Sequence, residues 1–460
     1  MKRSALLLFM TFALLLVIAF PVLAVDELSG HDVRVLLSSS SSSRSYTVRI
    51  EAGEYLVLDD RGKEVGYIDT MQDVTFSYEE DRYWVEWEDD VVESRHPLTL
   101  YPDDTESQIS LNGKTYRGGF KLMMNGDYCY GINVVDIELY LYGVVGREMG
   151  YNYHTEATKA QAVASRSYAL ANCSSDNVYY DVTATTASQV YGGCSAETDA
   201  IIQAVDDTRG QVLFYKKEIV PAFFSSNAGG YTENIENVWV SDTYPIVGVP
   251  SPYDSQAGRY SSYGASCYSW TVEYTPDDLV RLANSYGKVD IGSYRGIEVL
   301  QSYNGQTSVS GRAMQVTIYG TKNSVTATKD AIRTLLNLKS TFITVSDGSN
   351  GPVAGYVLDG NGQAEAWESF DALYAIGASE ATMLANGDKT SFYVYSASGV
   401  QEVGKNSTSS QGIVISGKGY GHGVGLSQWG AIAMADAGYS WEEIITHYYC
   451  QDGIEIVAYY

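Results

Sequence analysis

The chain has 460 residues, 45% of them hydrophobic, and a formal charge of -26 from 56 acidic against 30 basic side chains. That length accommodates two or three domains with sizeable cores. The acidic balance excludes nucleic acid or an anionic membrane as the main partner, because neutralising phosphates needs a basic face, and any anionic ligand must be met by locally placed Lys or Arg. Five cysteines in so long a chain are no disulfide scaffold, although one or two bridges are compatible with them. No CxxC or HExxH spacing occurs and the five histidines are scattered, so neither a metal nor another cofactor is expected.

In chain order, Lys2 and Arg3 precede an apolar run over residues 5 to 23 that closes on Val22, Leu23 and Ala24. Residues 1–24 read as a signal peptide or an uncleaved membrane anchor, which places the remainder outside the cytoplasm. Residues 25–130 form a β-rich N-terminal part. VRVLL, YTVRI, YLVLD, VTFSY and RYWVEWE alternate or run apolar between Gly, Asp and Ser punctuation. The six serines 38–43 read as a flexible loop.

The period then changes. A helix from about 136 to 149 puts Ile137, Leu141, Val144 and Glu148 within one narrow arc. A carboxylate on an apolar face resists ionisation, the condition for a general acid at neutral pH; the same position also fits a helix-end glutamate turned outward or paired with Arg147. Gly143, Gly146 and Gly150 thin this helix against propensity, which points to close approach by a ligand or another backbone. A second helix from Thr155 carries Ala157, Ala160, Ala164, Tyr168 and Ala171 on a stripe suited to tight packing. Gln161 borders the stripe, and Arg166 lies opposite it, facing solvent or a cleft.

From about 210 to 345 strands and short helices alternate, with SSNAGGYTE at 225–233 as a glycine turn and TKDAIRTLLNL as a short helix. Residues 346–411, opening SDGSNGP, read as an insertion in which AEAWESFDALYAI is helical. Residues 417–425 then read GKGYGHGVG, before the helix-compatible LSQWGAIAMADAG. Alternate glycines weaken a strand unless something must approach its backbone. If extended, the stretch presents Lys418, Tyr420, His422 and Val424 on one face and nothing on the other. It lacks the endings of a phosphate-binding loop. The 39 tyrosines suit both exposed β surface and a wet sugar-binding groove.

Several of these segments together, in order, resemble the SpoIID/LytB family of stage II sporulation proteins D and amidase enhancers. They are NVVDIELYLYGVVGREM, EATKAQAVASRSYAL, QVYGG, SSNAGGYTENIENVW, SGRAMQVTIYG, the glycine signature with its helix, and IITHYY. The resemblance runs from about residue 131 to 460. It implies an α+β, β-rich, groove-bearing SpoIID-like fold with a helical catalytic segment, comprising 131–345 as the core, 346–411 as the insertion and 412–460 as the C-terminal part of the core. It implies a peptidoglycan lytic transglycosylase acting on peptide-stripped glycan strands, with a non-catalytic enhancer of a cell-wall amidase as the alternative. The family's catalytic glutamate falls on Glu148. Arg166 and Lys418 are then expected at substrate carboxylates, Tyr420 and His422 along the groove, and Gln161, Ser226 and Gln428 as further polar contacts. Two departures stand out. Residues 174–190 lack the His and Cys ligands some members carry, so no zinc is expected, and Gly146, Gly150 and Tyr151 or Tyr153 replace the proline and tryptophan usual near the EM motif.

Overall fold

The computed structural model describes residues 29–173, 177–239, 243–346 and 412–460, together with the backbone of short strands between 356 and 403. The proposed leader at 1–24 lies outside the described residues. Sheets are antiparallel almost throughout; the parallel pairings are two-residue contacts, of Val35–Leu36 with Val182–Thr183 and of Phe224–Ser225 with Leu426–Ser427. With helices segregated from these sheets, the class is α+β.

Two sheets make the N-terminal part. One has seven strands and is centred on Asp32–Ser40, Tyr128–Asp136 and Gly119–Asn125; the other has six and is centred on Ser45–Ala52 and Asp73–Glu79. Their period-two apolar positions, such as Val33 and Val35 on one and Val48 and Ile50 on the other, share a single core. All five apolar runs read from the sequence in this part are strands. The serine run is a partial exception. Ser38–Ser40 stay in the strand, paired with Gly131–Cys129 after a bulge at Leu36, because ladder hydrogen bonds hold residues whose side chains bring no burial.

Helix α1 (Ile137–Met149) follows directly from the strand Tyr128–Asp136, and the Asp136 side chain caps it by accepting from the Glu138 N–H. Every residue from Ile137 to Gly146 is buried, so α1 is a core helix all round rather than an amphipathic surface one. Its glycines answer to another backbone. A Cβ on Gly143 would meet the Tyr191 ring at 2.4 Å, and one on Gly146 would meet the Ala196 carbonyl at 2.3 Å. Helix α2 (Thr155–Cys173) carries Ala157, Ala160 and Ala164 into a second core with the helices Gln428–Asp436 and Trp441–Tyr449.

A third core joins the strands Ser269–Tyr274, Gln315–Gly320 and Ile413–Lys418 with the helices Pro276–Gly287 and Ala331–Leu336. Strands Ile343–Ser346 and Ile413–Lys418 pair directly, Ser346 opposite Val414, so the chain leaves and re-enters this sheet at neighbouring positions on either side of the block 346–411. The helix expected at 364–376 is not formed: Ala364–Ala366 and Ala372–Ile376 are strands, paired to Tyr356–Leu358 and Ala381–Asn386.

The glycine signature also departs from its expected form. The strand ends at Lys418, and Gly419, Gly421, Gly423 and Gly425 all take positive φ between 68° and 111°, a backbone that L side chains rarely adopt. The segment therefore winds instead of running extended. Its glycines pack against residues 223–229, Trp270, Arg312 and Tyr449, not against α1 or α2: a Cβ on Gly425 would meet the Phe223 carbonyl at 2.1 Å. All five cysteines are free thiols.

Candidate functional site

The last turn of α1 brings Glu148 to the wall of a cavity of about 560 Å³. Ser226, Tyr420, His422 and Gln428 line the same cavity, contributed by the 223–229 segment, the winding glycine segment and the first turn of the helix Gln428–Asp436. Two chain stretches far apart in sequence thus meet. The Asn227 and Tyr420 backbones bond each other in both directions, at 3.1 and 2.8 Å.

Glu148 is half-buried and forms no ion pair among the described residues. Its Oε1 accepts from the Val190 N–H at 2.6 Å, and the Gln428 side chain bonds the carboxyl as well. Burial raises its pKa above the ordinary carboxylate value, and these two hydrogen bonds pull the other way without cancelling the effect. Behind it runs a polar row. Gln428 Nε2 donates to Gln161 Oε1 at 3.3 Å, and Gln161 Nε2 donates to Ser165 Oγ at 2.9 Å, both within fully enclosed surroundings. Gln161 therefore stands behind the wall, orienting Gln428, and does not reach the cavity.

His422 packs against the Trp239 ring, centroids 4.8 Å apart. Its Nδ1 accepts from the Val424 N–H at 3.0 Å, so the proton resides on Nε2. Burial, then the charges of Arg333 and Arg312, push its pKa down to about 3, and the imidazole is neutral. Ser226 Oγ contacts the Cys267 Sγ at 3.7 Å, and its carbonyl accepts from the Trp429 N–H. Tyr153 lines the cavity and meets the Trp429 ring edge-on at 5.6 Å.

Two expected ligand contacts are elsewhere. Arg166 is fully buried and forks onto Glu138, Nε to Oε1 at 2.8 Å and Nη2 to Oε2 at 2.7 Å. The side of α2 opposite its alanine stripe is covered by α1 and the strand Gln211–Tyr215, which a single-helix wheel does not reveal. Lys418 ends a strand, pairs with Ser269, is exposed and does not line the cavity, because the positive-φ glycines that follow break the alternation that would align it with His422. Three participants were not assigned to the site from sequence. The Val190 donor is a backbone group with no side-chain signature, though it lies in the QVYGG motif. Arg147, read from sequence only as a possible partner of Glu148, and Arg333 are the cations lining the cavity among the described residues, and both sit in segments whose pattern reports only helix.

Residues 126–215, which include α1, α2 and Val190, match the family model described as stage II sporulation protein, SpoIID. Residues 255–364 match a domain of unknown function, DUF8618. The chain is 28% identical over 363 residues to an uncharacterized protein of Brachyspira hyodysenteriae, covering 77% of this chain and 76% of that one. It is 28% identical over 364 residues to the amidase enhancer of Bacillus subtilis, covering 76% of this chain but only 46% of that protein. Over 333 residues it is 26% identical to the stage II sporulation protein D of Bacillus subtilis, covering 68% and 73% of the two chains.

Proposed function

The chain belongs to the SpoIID family through its residues 126–215, and from that premise we propose that it is a peptidoglycan lytic transglycosylase of the cell envelope, with Glu148 as its acid and base. The observation that carries this reading is a carboxyl group at a cavity wall whose pKa burial raises and which forms no ion pair among the described residues. Protonated Glu148 donates to the bridging oxygen as the bond to C1 of the muramoyl sugar breaks, and the electron pair leaves with that oxygen. The resulting carboxylate takes the proton of the C6 hydroxyl as O6 closes on C1, giving a 1,6-anhydro sugar. Because the nucleophile is intramolecular, one carboxyl group serves both steps and no water is consumed. Tyr153, Tyr420 and Trp429 offer ring faces and edges to the sugars, and neutral His422 offers a fixed wall.

Peptide-stripped glycan strands digested by the wild type are expected to yield anhydro-terminated products by mass spectrometry, and Glu148→Gln to lower their formation about 100-fold or more. No anhydro ends from the wild type would refute the enzymatic reading. A second reading draws on the amidase-enhancer relative: a chain that binds glycan without cleaving it and stimulates a partner amidase. Saturable binding of the strands with no anhydro product, plus faster amidase turnover on addition of the chain, would favour it.

A further inference from the structure

With Arg166 buried on Glu138 and Lys418 outside the cavity lining, the wall lacks both cations expected beside its ligand. Against a net charge of -26, an anionic group reaching this wall still needs a local positive partner. The wall supplies Arg147 and Arg333. The stem of Arg147 lies over Gly192, where a Cβ would meet its Cγ at 2.6 Å.

Arg333 is differently placed. It projects from the short helix Ala331–Leu336 with 27% of its side chain exposed, and among the described residues its one ion pair is with Asp330, one turn back, at 3.2 Å from Nη1. Its Nε is shut off from water and has no acceptor. Buried donors without partners are rare, and each calls for a physical explanation. With Nε enclosed and Nη1 on Asp330, Nη2 is the donor left on the exposed part of the guanidinium for an anionic ligand. Glu148, the one carboxylate lining the cavity among the described residues, makes no ion pair with it, so the acid and the guanidinium are free to engage different parts of one ligand.

We propose that Arg333 is the specificity-determining residue of this cavity, binding the lactyl carboxylate that distinguishes a muramoyl sugar from its N-acetylglucosamine neighbour. The proposal rests on the reading of the cavity as a glycan groove. It supplies a chemical reason for preferring peptide-free strands. Once a stem peptide is joined to the lactyl group the carboxylate becomes a neutral amide, and the guanidinium loses its charged acceptor.

Calorimetric titration of the full chain in a Glu148→Gln background, where turnover is suppressed, separates proposal from premise. Three tetrasaccharides serve as probes: alternating N-acetylglucosamine and N-acetylmuramic acid, the same sugar with its lactyl groups amidated, and chitotetraose. The free-acid ligand is expected to bind at least about tenfold more tightly than the other two, with an advantage that shrinks as salt is added. Adding Arg333→Gln should reduce the advantage to about twofold or less, and Arg333→Lys, which keeps the charge but not the fork, should retain part of it. Equal binding of free-acid and amidated ligands by the parent chain overturns the proposal without reference to any Arg333 variant. So does an advantage that survives Arg333→Gln in a protein that still melts cooperatively. Failure of all three saccharides to bind would instead bring down the glycan reading, and this proposal with it.

Discussion

At the residue scale the site is a contest between burial and hydrogen bonding at one carboxyl group. Burial raises the Glu148 pKa, while the Val190 N–H and Gln428 favour the ionised form. A general acid must be protonated, so kcat/KM should fall as pH rises through that raised value. Gln428→Leu removes one stabiliser of the carboxylate and should move the alkaline limb of the pH profile to higher pH; a limb that stays put or moves down contradicts the assignment. The same shift predicts a stability change. An unfolded glutamate titrates near ~4.3, and between that value and the raised folded value the native state holds a proton the unfolded state has lost. Stability therefore declines as pH rises through that window and stays lowered above it. Glu148→Gln should accordingly raise the melting temperature at neutral pH and lose that advantage below about pH 4, as followed by circular dichroism. The partial burial of Glu148 was legible because its place on the apolar arc of α1 is a sequence property. Val190 was not, since the donor is main chain, and neither was the bond from Gln428 to Gln161, 267 residues apart in the chain.

His422 shows how surroundings override a side chain's ordinary chemistry. With its pKa pushed to about 3, the folded state resists the proton that the unfolded histidine accepts near ~6.5. Its contribution to stability is thus present above the unfolded value and lost as pH falls from there toward about 3. Its ring proton resonance should stay unchanged between pH 5 and 8; a midpoint in that interval would mean that the imidazole is not held neutral by its burial against Trp239.

At the scale of elements, the glycines of α1 provide clearance for another backbone, one of the two neighbours their spacing suggests. In α1 the neighbour is the segment after Val190: the Gly192 N–H bonds the Gly143 carbonyl at 2.9 Å, and the Tyr191 ring occupies the space of the missing side chain. Helix propensity alone predicts that Gly143→Ala stabilises by about 1 kcal/mol. The contact at 2.4 Å reverses the sign, because ring and helix must separate, and overpacking of this kind costs roughly 1–3 kcal/mol. Urea denaturation should show net destabilisation. Activity should fall as well, since the displaced segment carries the Val190 donor to Glu148. The glycine signature failed as a strand for a related reason. Alternation in sequence looks like strand period, yet alternate positive φ values turn the chain at every second residue, so Tyr420 and His422 reach the cavity and Lys418 does not.

Across the whole molecule, the site depends on a charged cluster that never touches it. Glu138 and Arg166, both with 0% side-chain exposure, join α1 to α2; the Gly210 N–H at 3.2 Å and the Tyr460 hydroxyl also donate to Glu138, and Arg166 donates to the Gln211 and Val205 carbonyls. Burial opposes the charge on Glu138, but Arg166 and these hydrogen bonds outweigh it and hold the carboxyl below its ordinary pKa. Its contribution is therefore complete above the unfolded pKa near ~4.3 and is lost as pH falls below it. Removing the cation alone leaves a carboxylate in a dry interior, a change that costs about 3–5 kcal/mol in comparable buried pairs. Arg166→Met should lower the urea midpoint accordingly, and Arg166→Met with Glu138→Leu should recover much of the loss, because no charge is then stranded. A ligand-binding role for Arg166 predicts something different: the double variant would regain stability but bind glycan no better than the single one. With α1 and α2 repacked, the Glu148 wall should re-form, and glycan affinity should return together with the urea midpoint.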